Sequence, residues 1–354
     1  MINSFREKFS SPEDSRLWAQ FIAFAPVAFQ AAKSLRNFGI LETLRNPDGT
    51  SMDRLRQETG LSDYSLGLLL DAGESCGLLF EKGGAFFATP AGEHLAADPL
   101  TNVNMNFTSD VCYEGMAFLE DSLKNGKPEG LNVFGKWNTI YEGLTELPPQ
   151  ALKSWLAFDH FFSDDSFPRA IPILCKSNPK KILDVGGNTG KFAIACSLFD
   201  PKVSVTMLDH PAQLKLAAEQ IEARGLSGRI SQIPMNLLDH SLPLPKGYDT
   251  IWMSQFLDCF SKADILQLFR RTCEAMSETA NFYIMETFND RQRYEGVRFC
   301  LDMTSLYFTA LANGNSRMYR AAEFHELLAQ AGLRVVEEFD NIRLSHSILR
   351  CQRV

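Results

Sequence analysis

The chain has 354 residues, of which 43 are acidic and 35 are basic, so its formal net charge is −8. A negative charge of this size disfavours general binding to nucleic acid or to an anionic membrane. The length and the hydrophobic content of 45% allow a sizeable core and suggest two domains.

Targeting and metal-binding patterns are lacking in the sequence. The eight cysteines include no CxxC pair and form no zinc pattern with the six histidines, so we expect reduced thiols and no metal. The N-terminus has no signal-peptide core, and the longest apolar run, 21–29, contains Pro26 and is too short to span a bilayer. We therefore expect a cytoplasmic protein that does not enter membranes.

The first predicted element is a helix over 14–37. Large apolar residues recur in it at spacings of three and four, and Pro26 should kink or split the helix. A terminal helix so rich in apolar residues needs a partner surface, which is either its own domain or a second subunit.

Residues 39–88 predict further helices and a hairpin. Two helices begin near Ser51 and Ser62, and the hairpin has its turn at 81–84. This order is that of a winged helix, a fold that often reads DNA. The presumed recognition helix, 62–76, carries three acids and no Lys or Arg, whereas DNA contacts need basic side chains. We therefore interpret this segment as a domain that dimerises and forms one wall of a pocket, rather than as part of a transcription regulator.

Residues 101–168 predict connecting helices. Their aromatic residues are interrupted by glycine and proline, and the aromatic faces either fill a core or line a substrate cavity.

After Pro179, strands alternate with helices, which predicts a mostly parallel sheet covered on both faces. The predicted strands are 181–185, 203–208, 230–234, 250–254 and 282–286. The predicted helices are 191–199, 212–224, 263–276 and 321–331. The last two strands, 334–340 and 345–351, are joined by a short turn, so they should form a hairpin with one antiparallel strand.

The most informative stretch is 181–190, KILDVGGNTG, in which an apolar strand carries Asp184 near its end and breaks into Gly186, Gly187 and Gly190. A glycine-rich turn after a buried strand lets the backbone approach a nucleotide-like ligand closely. The carboxylate of Asp184 would repel a pyrophosphate, but it favours S-adenosylmethionine, which carries a sulfonium and an ammonium group and no phosphate. We therefore predict this cofactor, with S-adenosylhomocysteine as its product, and regard an NAD-dependent oxidoreductase as a distant alternative.

Ligands of such sheets bind outside the carboxyl ends of the strands. Asp209, which follows the second of these strands, either accepts the ribose hydroxyls or caps the next helix. Asn236, after the third strand, either bonds the adenine amine or forms a turn. The fourth strand leads into Ser254 and Gln255, which we also place at the cofactor.

The motifs LDVGGNTG, MLDHP and YDTIWMSQFLDCFS, the strand of Glu286 and the segment MYRAAEFHELLAQAGL follow the winged helix in this order. In this order they resemble the small-molecule methyltransferases of the plant caffeate and acetylserotonin O-methyltransferase type, over nearly the whole chain. The resemblance implies an α/β fold with a Rossmann-like class I methyltransferase sheet and a terminal antiparallel strand. It also implies an all-helical winged-helix domain in front, and a homodimer swapped through the N-terminal helices. We place the dimerisation domain at 1–105, the connecting helices at 106–170 and the cofactor-binding domain at 171–354.

The resemblance also assigns single residues. Cofactor-contacting positions of the family correspond to Gly186, Gly187, Asp209, Asn236 and Ser254. Ser163 resembles a further contact, from the helix that covers the methionine end of the cofactor. Phe162 stands where the family places a methionine against the cofactor or the acceptor.

The catalytic position departs from the family. The usual Leu-His-Asp-Trp after the fourth strand, whose histidine is the general base, reads Leu-Asp-Cys-Phe at 257–260, so Asp258 replaces the histidine. Of the two carboxylates that orient this histidine, one matches Glu286, and the other position is Met318. Three roles stay open for Asp258: it deprotonates a phenol, it promotes attack from a ring carbon, or it only caps the following helix. His160 is an alternative base.

These patterns predict methyl transfer from S-adenosylmethionine to an aromatic, phenolic small molecule of secondary metabolism, on oxygen or on carbon. The acceptor is either free or tethered to a carrier protein. The alternative, motivated by the missing histidine, is a cofactor-binding regulator or assembly protein that has lost its activity.

Overall fold

A computed structural model describes residue 9, residues 11–163 and residues 165–354, with the side chains of 162 and 163 outside the description. The chain divides into two compact units, with the boundary between Val111 and Cys112. Our division between residues 105 and 106 falls inside a helix of the first unit, and the unit boundary follows that helix.

The first unit contains six helices and a hairpin among its described residues. The helices are α1 (Pro12–Asn37), α2 (Ile40–Thr43), α3 (Met52–Thr59), α4 (Asp63–Ser75), α5 (Pro90–Ala97) and α6 (Pro99–Phe107), and the hairpin strands are β1 (Leu79–Lys82) and β2 (Ala85–Ala88). Helix α1 continues through Pro26, so the chain is not split there. A proline removes one N–H donor, and the helix is continuous on both sides of it.

Local sequence signals set the winged-helix order of the first unit. The hydroxyls of Ser51 and Ser62 cap α3 and α4 by accepting a backbone N–H of the first turn, as such residues do at helix starts. The hairpin turn is shorter than predicted and consists of Gly83 and Gly84, both with positive φ. The predicted winged helix is confirmed. The domain is not all-helical, because it contains the two-stranded hairpin of β1 and β2.

The second unit holds the connecting helices and the sheet. Its helices are α7 (Leu119–Asn125), α8 (Pro149–Ser163), α9 (Phe167–Cys175), α10 (Lys191–Phe199), α11 (Pro211–Glu222), α12 (Lys262–Ala275), α13 (Glu295–Tyr307) and α14 (Ala321–Gln330). Its strands are β3 (Lys181–Val185), β4 (Ser204–Asp209), β5 (Ile230–Pro234), β6 (Thr250–Ser254), β7 (Asn281–Glu286), β8 (Leu333–Ile342) and β9 (His346–Arg353).

The seven strands form one sheet in the order β5-β4-β3-β6-β7-β9-β8. Strands β3 to β7 pair in parallel, whereas β9 is antiparallel to both of its neighbours, which confirms the predicted fold class. The order of connections reverses between β3 and β6, and ligands of open α/β sheets bind at such a switch point, outside the carboxyl ends of the strands.

Both faces of the sheet are buried. On β6, Ile251 and Met253 belong to one apolar cluster and Trp252 to the other, because successive side chains of a strand point to opposite faces. Among the described residues, no helix is long and apolar enough to cross a membrane.

Candidate active site

The turn after β3 has a backbone that favours glycine. Gly186 and Gly190 have φ angles of +79° and +80°, and a Cβ atom on Gly186 would lie 2.5 Å from the ring of Phe256. The N–H of Gly186 donates to the carbonyl of Leu208 at 2.9 Å, which ties the turn to β4. The turn is therefore an open backbone cradle at the carboxyl end of the sheet.

We expect Gly186→Ala to weaken binding of S-adenosylmethionine by about tenfold or more, since the added methyl group meets Phe256 in a conformation that costs an L-residue roughly 1–2 kcal/mol. Calorimetric titration measures this loss. Gly225→Ala is the matched control, because Gly225 also has a positive φ but has nothing within 4 Å of a Cβ atom. An equal loss of affinity in both variants would rule out a cradle at Gly186.

Asp184 lies beneath this turn as a buried carboxyl group with one unpaired oxygen. Its side chain is 2% exposed, and no group among the described residues bonds its Oδ2 atom. Burial, with a smaller contribution from the charge of Asp209, raises the pKa of Asp184 to about 8. A cationic ligand would restore its ionised form, as expected of a site for a sulfonium and ammonium compound.

A cleft opens above Asp184. Its lining residues are Asp159, His160, Phe167, Asp184, Gly186, Gly187, Asn188, Thr189, Lys191, Phe192, Trp252, Ser254 and Gln255. Six of these are residues that we predict for the site: His160, Asp184, Gly186, Gly187, Ser254 and Gln255. The cleft therefore brings together the glycine turn after β3 and the end of β6.

Besides Asp184 Oδ2, three buried polar atoms of the lining have no hydrogen-bond partner in the described part of the chain: Trp252 Nε1, Ser254 Oγ and Gln255 Nε2. Buried polar groups are normally paired, so these atoms are suited to hold a polar ligand. Gln255 also has a φ of +47°, a strained conformation that is typical of functional sites. The donors and the unpaired acid fit the carboxylate, ammonium and sulfonium groups of S-adenosylmethionine.

Trp252 is a site residue that the sequence pattern did not reveal. It pairs in register with Asp184 across β3 and β6, and its ring stacks on Phe192 at 4.6 Å between centroids. A tryptophan within an apolar strand is indistinguishable from a core residue by pattern alone, so only the unpaired indole nitrogen reveals it.

Asp209 ends β4 at the rim of the same turn. Its carboxylate accepts the N–H of Asn188 at 2.8 Å and that of His210 at 2.6 Å. Burial raises the pKa of Asp209, and the two N–H groups partly oppose this shift. The carboxylate bonds no N–H inside α11, whose N-cap is His210, and it stays our candidate for the ribose hydroxyls.

Asn236 follows β5 in a turn. Its side chain is exposed, and its Oδ1 atom accepts the N–H of Leu238 at 3.1 Å. It is not among the residues that line the cleft. The turn that we gave as the alternative to adenine contact is therefore present, and the adenine contact itself stays a prediction.

The side chains of Phe162 and Ser163, which we predict to contact the cofactor, lie outside the described residues. On the same helix, α8, His160 and Asp159 both line the cleft. The Nδ1 atom of His160 lies 3.9 Å from the Asp159 carboxylate. The charge of Asp159 raises the pKa of Asp258. Asp159 therefore lines the cleft and also interacts with the residue at the predicted catalytic position.

The loop after β6 is held by Glu286. Its Oε1 atom accepts the N–H groups of Phe256 and Leu257 at 3.0 and 2.9 Å, whereas its Oε2 atom is buried without a described partner. Burial, and then the charge of Asp258, raise the pKa of Glu286. Glu286 therefore fixes the backbone that presents Asp258, in place of orienting a histidine.

Asp258 lies in a short helical turn, Leu257–Cys259. Burial and the charge of Asp159 raise its pKa to about 7, and a hydrogen bond from Cys259 opposes the shift. A carboxylate with this pKa is a far better base near neutral pH than one with the ordinary value of about 3.9.

Asp258 is not the cap of the following helix. The N-cap of α12 is Ser261, whose Oγ atom accepts the N–H of Asp264 at 3.2 Å. The helix-cap role that we left open for Asp258 is therefore wrong, because a hydroxyl nearer the helix bonds its first turn.

Cys259 contacts Asp258, and Tyr141 contacts Cys259 in turn. The thiol of Cys259 donates to the Oδ1 atom of Asp258 at 3.6 Å, and the hydroxyl of Tyr141 donates to the Cys259 sulfur at 3.1 Å. Cys259 stands in the motif that we singled out, but Tyr141 is 118 positions away in the sequence, and no local pattern indicates this contact. At Met318, where the family has a second carboxylate, the sulfur accepts the Thr287 hydroxyl at 3.3 Å.

Comparison with known proteins agrees with this architecture. The family model described as a Dimerisation2-like domain matches residues 16–86, and that described as an O-methyltransferase domain matches residues 175–334. The L-tyrosine C(3)-methyltransferase of Streptomyces lavendulae is 28% identical over 316 residues, which cover 88% of this chain and 85% of that protein.

Solved structures show the same fold. The apo form of the S-adenosylmethionine-dependent methyltransferase SibL superposes with a TM-score of 0.74 at 23% identity, covering 94% of this chain and 98% of SibL. The O-methyltransferase NcsB1 from neocarzinostatin biosynthesis, in complex with S-adenosylmethionine and 2-hydroxy-5-methyl naphthoic acid, superposes with a TM-score of 0.67 at 21% identity, covering 93% of this chain and 96% of NcsB1. The two matched domains, the fold and the cleft lead to one conclusion: this chain belongs to the S-adenosylmethionine-dependent small-molecule methyltransferases that join a dimerisation domain to an O-methyltransferase domain.

Proposed function

We propose that this protein transfers the methyl group of S-adenosylmethionine to a phenolic small molecule of secondary metabolism, on a ring carbon next to the hydroxyl. The observation that carries the proposal is Asp258, a partly buried acid whose pKa is raised to about 7, at the position of the family's catalytic base. The tyrosine C-methyltransferase named above, similar over most of its length, supports carbon as the site of attack.

The cofactor supplies an electrophilic methyl group with a good leaving group. In this chain Asp184 would face its positive charge, the donors of Trp252, Ser254 and Gln255 would hold its polar end, and Asp209 would bind its ribose. Alignment of the acceptor with the methyl group supplies much of the rate in such a displacement.

Asp258 then acts as the general base for the hydroxyl proton. A phenol of pKa about 10 is a poor nucleophile at neutral pH until its proton is taken. The Asp258 carboxylate accepts the hydroxyl proton while the ring carbon attacks the methyl group, which gives a neutral dienone. Loss of the ring proton to a second base restores the aromatic ring, and Asp258 returns its proton to the oxygen. Asp159, whose charge already acts on Asp258, is our candidate for the second base.

The competing reaction is O-methylation, which the family model of the catalytic domain favours by its description. It needs Asp258 only to take the hydroxyl proton, so the base is the same and the orientation of the acceptor differs. Mass spectrometry of products from ring-deuterated phenols separates the two, because carbon attack expels one ring deuterium and oxygen attack keeps them all.

The activity itself is tested by release of S-adenosylhomocysteine with a panel of L-tyrosine, catechol and a hydroxynaphthoate. Each acceptor is offered free and, for the acids, as a carrier-protein thioester. We expect turnover with at least one of them. Tight binding of S-adenosylmethionine without turnover across the panel would favour the regulator that has lost its activity.

We also propose a homodimer through the N-terminal helices. The matched dimerisation domain supports it, and so do large apolar side chains of α1 that are more than half exposed in the single chain: Leu17, Ile22, Phe24 and Val27. Apolar exposure of this extent marks an interaction surface.

We expect Phe24→Asp to shift the protein from dimer to monomer in sedimentation velocity at micromolar concentration, because a charge in an apolar interface is costly. Gln30→Asp, at an exposed polar position of the same helix, is the matched control and should stay dimeric. A Phe24→Asp variant that remains dimeric would show that α1 does not form the interface.

A further inference from the structure

We propose that Cys259 is a positioning residue that holds the Asp258 carboxylate and favours its ionised form, and that Tyr141 orients the Cys259 thiol for this task. The inference rests on the proposed function, in which Asp258 is the base.

The chain of donors has a fixed direction. A tyrosine hydroxyl has one proton, and that of Tyr141 points to the Cys259 sulfur at 3.1 Å. The sulfur therefore acts as acceptor on this side, and its own proton is free to point to Asp258 Oδ1, 3.6 Å away. A carboxylate only accepts, so it completes the chain when it is ionised.

Cys259 is anchored by its backbone as well. Its carbonyl accepts the side-chain N–H of Asn313 at 2.8 Å, and the next carbonyl, of Phe260, accepts the hydroxyl of Tyr319 at 2.7 Å. The ring of Tyr141 meets Trp155 edge to face at 6.4 Å between centroids. Both ends of the thiol contact are therefore held by elements outside the loop.

The thiol acts as a donor and not as a nucleophile. Burial, and then the charge of Asp258, raise the pKa of Cys259 well above its ordinary value, and the bond from Tyr141 opposes this only in part. A reactive cysteine needs the opposite shift, toward the thiolate. A thiol that keeps its proton can donate it to Asp258 throughout the neutral pH range.

The hydrogen bond from Cys259 shifts the pKa of Asp258 in one direction, downward. Burial disfavours its charged form, whereas a hydrogen bond to the carboxylate favours that form. The thiol therefore keeps the pKa of Asp258 lower than burial alone would set it, so that a larger fraction is ionised near pH 7.

Carbon-13 NMR of protein with labelled aspartate carboxyl groups, saturated with S-adenosylhomocysteine, tests this without an acceptor. The Asp258 resonance is assigned by its loss in Asp258→Asn. We expect Cys259→Ala to raise the titration midpoint of Asp258 by roughly half a pH unit or more, as loss of a net hydrogen bond of about 1 kcal/mol implies. Cys259→Ser keeps a donor and should leave the midpoint unchanged or lower it, and Tyr141→Phe should raise it by less than Cys259→Ala.

Cys273→Ala is the matched control, since that thiol also donates one bond, to the carbonyl of Gly332 at 3.6 Å, in a different part of the unit. It should leave the midpoint where it is. An unchanged or lower midpoint in Cys259→Ala would overturn the inference, whatever the activity. Failure of the proposed function looks different: Asp258→Asn would then keep full turnover while the midpoint still responds to Cys259.

Discussion

Asp258→Asn is expected to lower kcat by about a hundredfold or more, the usual contribution of a positioned general base. Asparagine keeps the size of the side chain but cannot take the proton of a phenol. The dissociation constant of S-adenosylmethionine should change little, because Asp258 is not among the residues that line the cofactor cleft. Single-turnover kinetics together with calorimetric titration separate the two quantities.

The pH dependence gives the same test an independent readout. The base works in its ionised form, so kcat of the wild type should rise with pH and level off above about pH 7, the pKa to which burial raises Asp258. Asp258→Asn should lose this rise. Asp239→Asn, at an exposed acid of the same unit, is the control and should keep both kcat and the profile. Full turnover in Asp258→Asn would remove Asp258 from the chemistry.

Asp184→Asn is expected to weaken binding of S-adenosylmethionine by at least about tenfold, or roughly 1.4 kcal/mol. The carboxylate is buried and has an unpaired oxygen, so the charge of a cationic ligand is poorly screened from it. S-Adenosylhomocysteine lacks the sulfonium charge and should lose less affinity. The unfolding temperature of the unliganded protein should not fall, since the variant replaces a buried acid that has an unpaired oxygen by a neutral amide.

The protonation state of Asp184 determines how the affinity for S-adenosylmethionine changes with pH. Burial raises its pKa to about 8 in the unliganded chain, so below that pH a proton must leave before the carboxylate can meet a cation. Affinity of the wild type should therefore rise by up to about tenfold per unit between pH 6 and pH 7.5, and Asp184→Asn should lose this slope. If Asp184→Asn lost equal affinity for S-adenosylmethionine and S-adenosylhomocysteine and kept the rise of affinity with pH, the sulfonium would not bind beside Asp184.

Much of the fold follows from local sequence signals. The bounds predicted for β3, β5 and β6 agree with the structure. Breaking residues mark several of these bounds: Gly186 follows β3, and Pro234 ends β5. Prediction was weaker where one residue breaks a rule within a longer element. Helix α1 passes through Pro26, since its other hydrogen bonds outweigh the loss of one donor.

The site was predictable along β3, β4 and β6, since parallel strands bring their carboxyl ends to one edge. The contacts across the chain were not. Tyr141 meets Cys259 through tertiary packing, and α8 turns Asp159 as well as His160 toward the cleft, which helical periodicity alone does not decide. The departure at Asp258 was visible in the sequence, but its raised pKa depends on burial that only the folded chain provides.

We propose that a partly buried acid at the position of the histidine lets activity persist in this chain. Glu286 no longer orients a histidine and holds the loop backbone through Phe256 and Leu257. Burial supplies the basicity that aspartate ordinarily lacks. We propose that the catalytic position is built around this carboxylate in place of the histidine.

Methyl transfer to a ring carbon of a phenol is the reaction that we propose for this protein. NMR of the product made with S-adenosylmethionine that carries carbon-13 in its methyl group tests it most directly, using any acceptor of the panel that releases S-adenosylhomocysteine. We expect a labelled aryl-methyl resonance coupled to the ring carbon next to the hydroxyl-bearing carbon. A labelled methoxyl resonance as the sole product would contradict it.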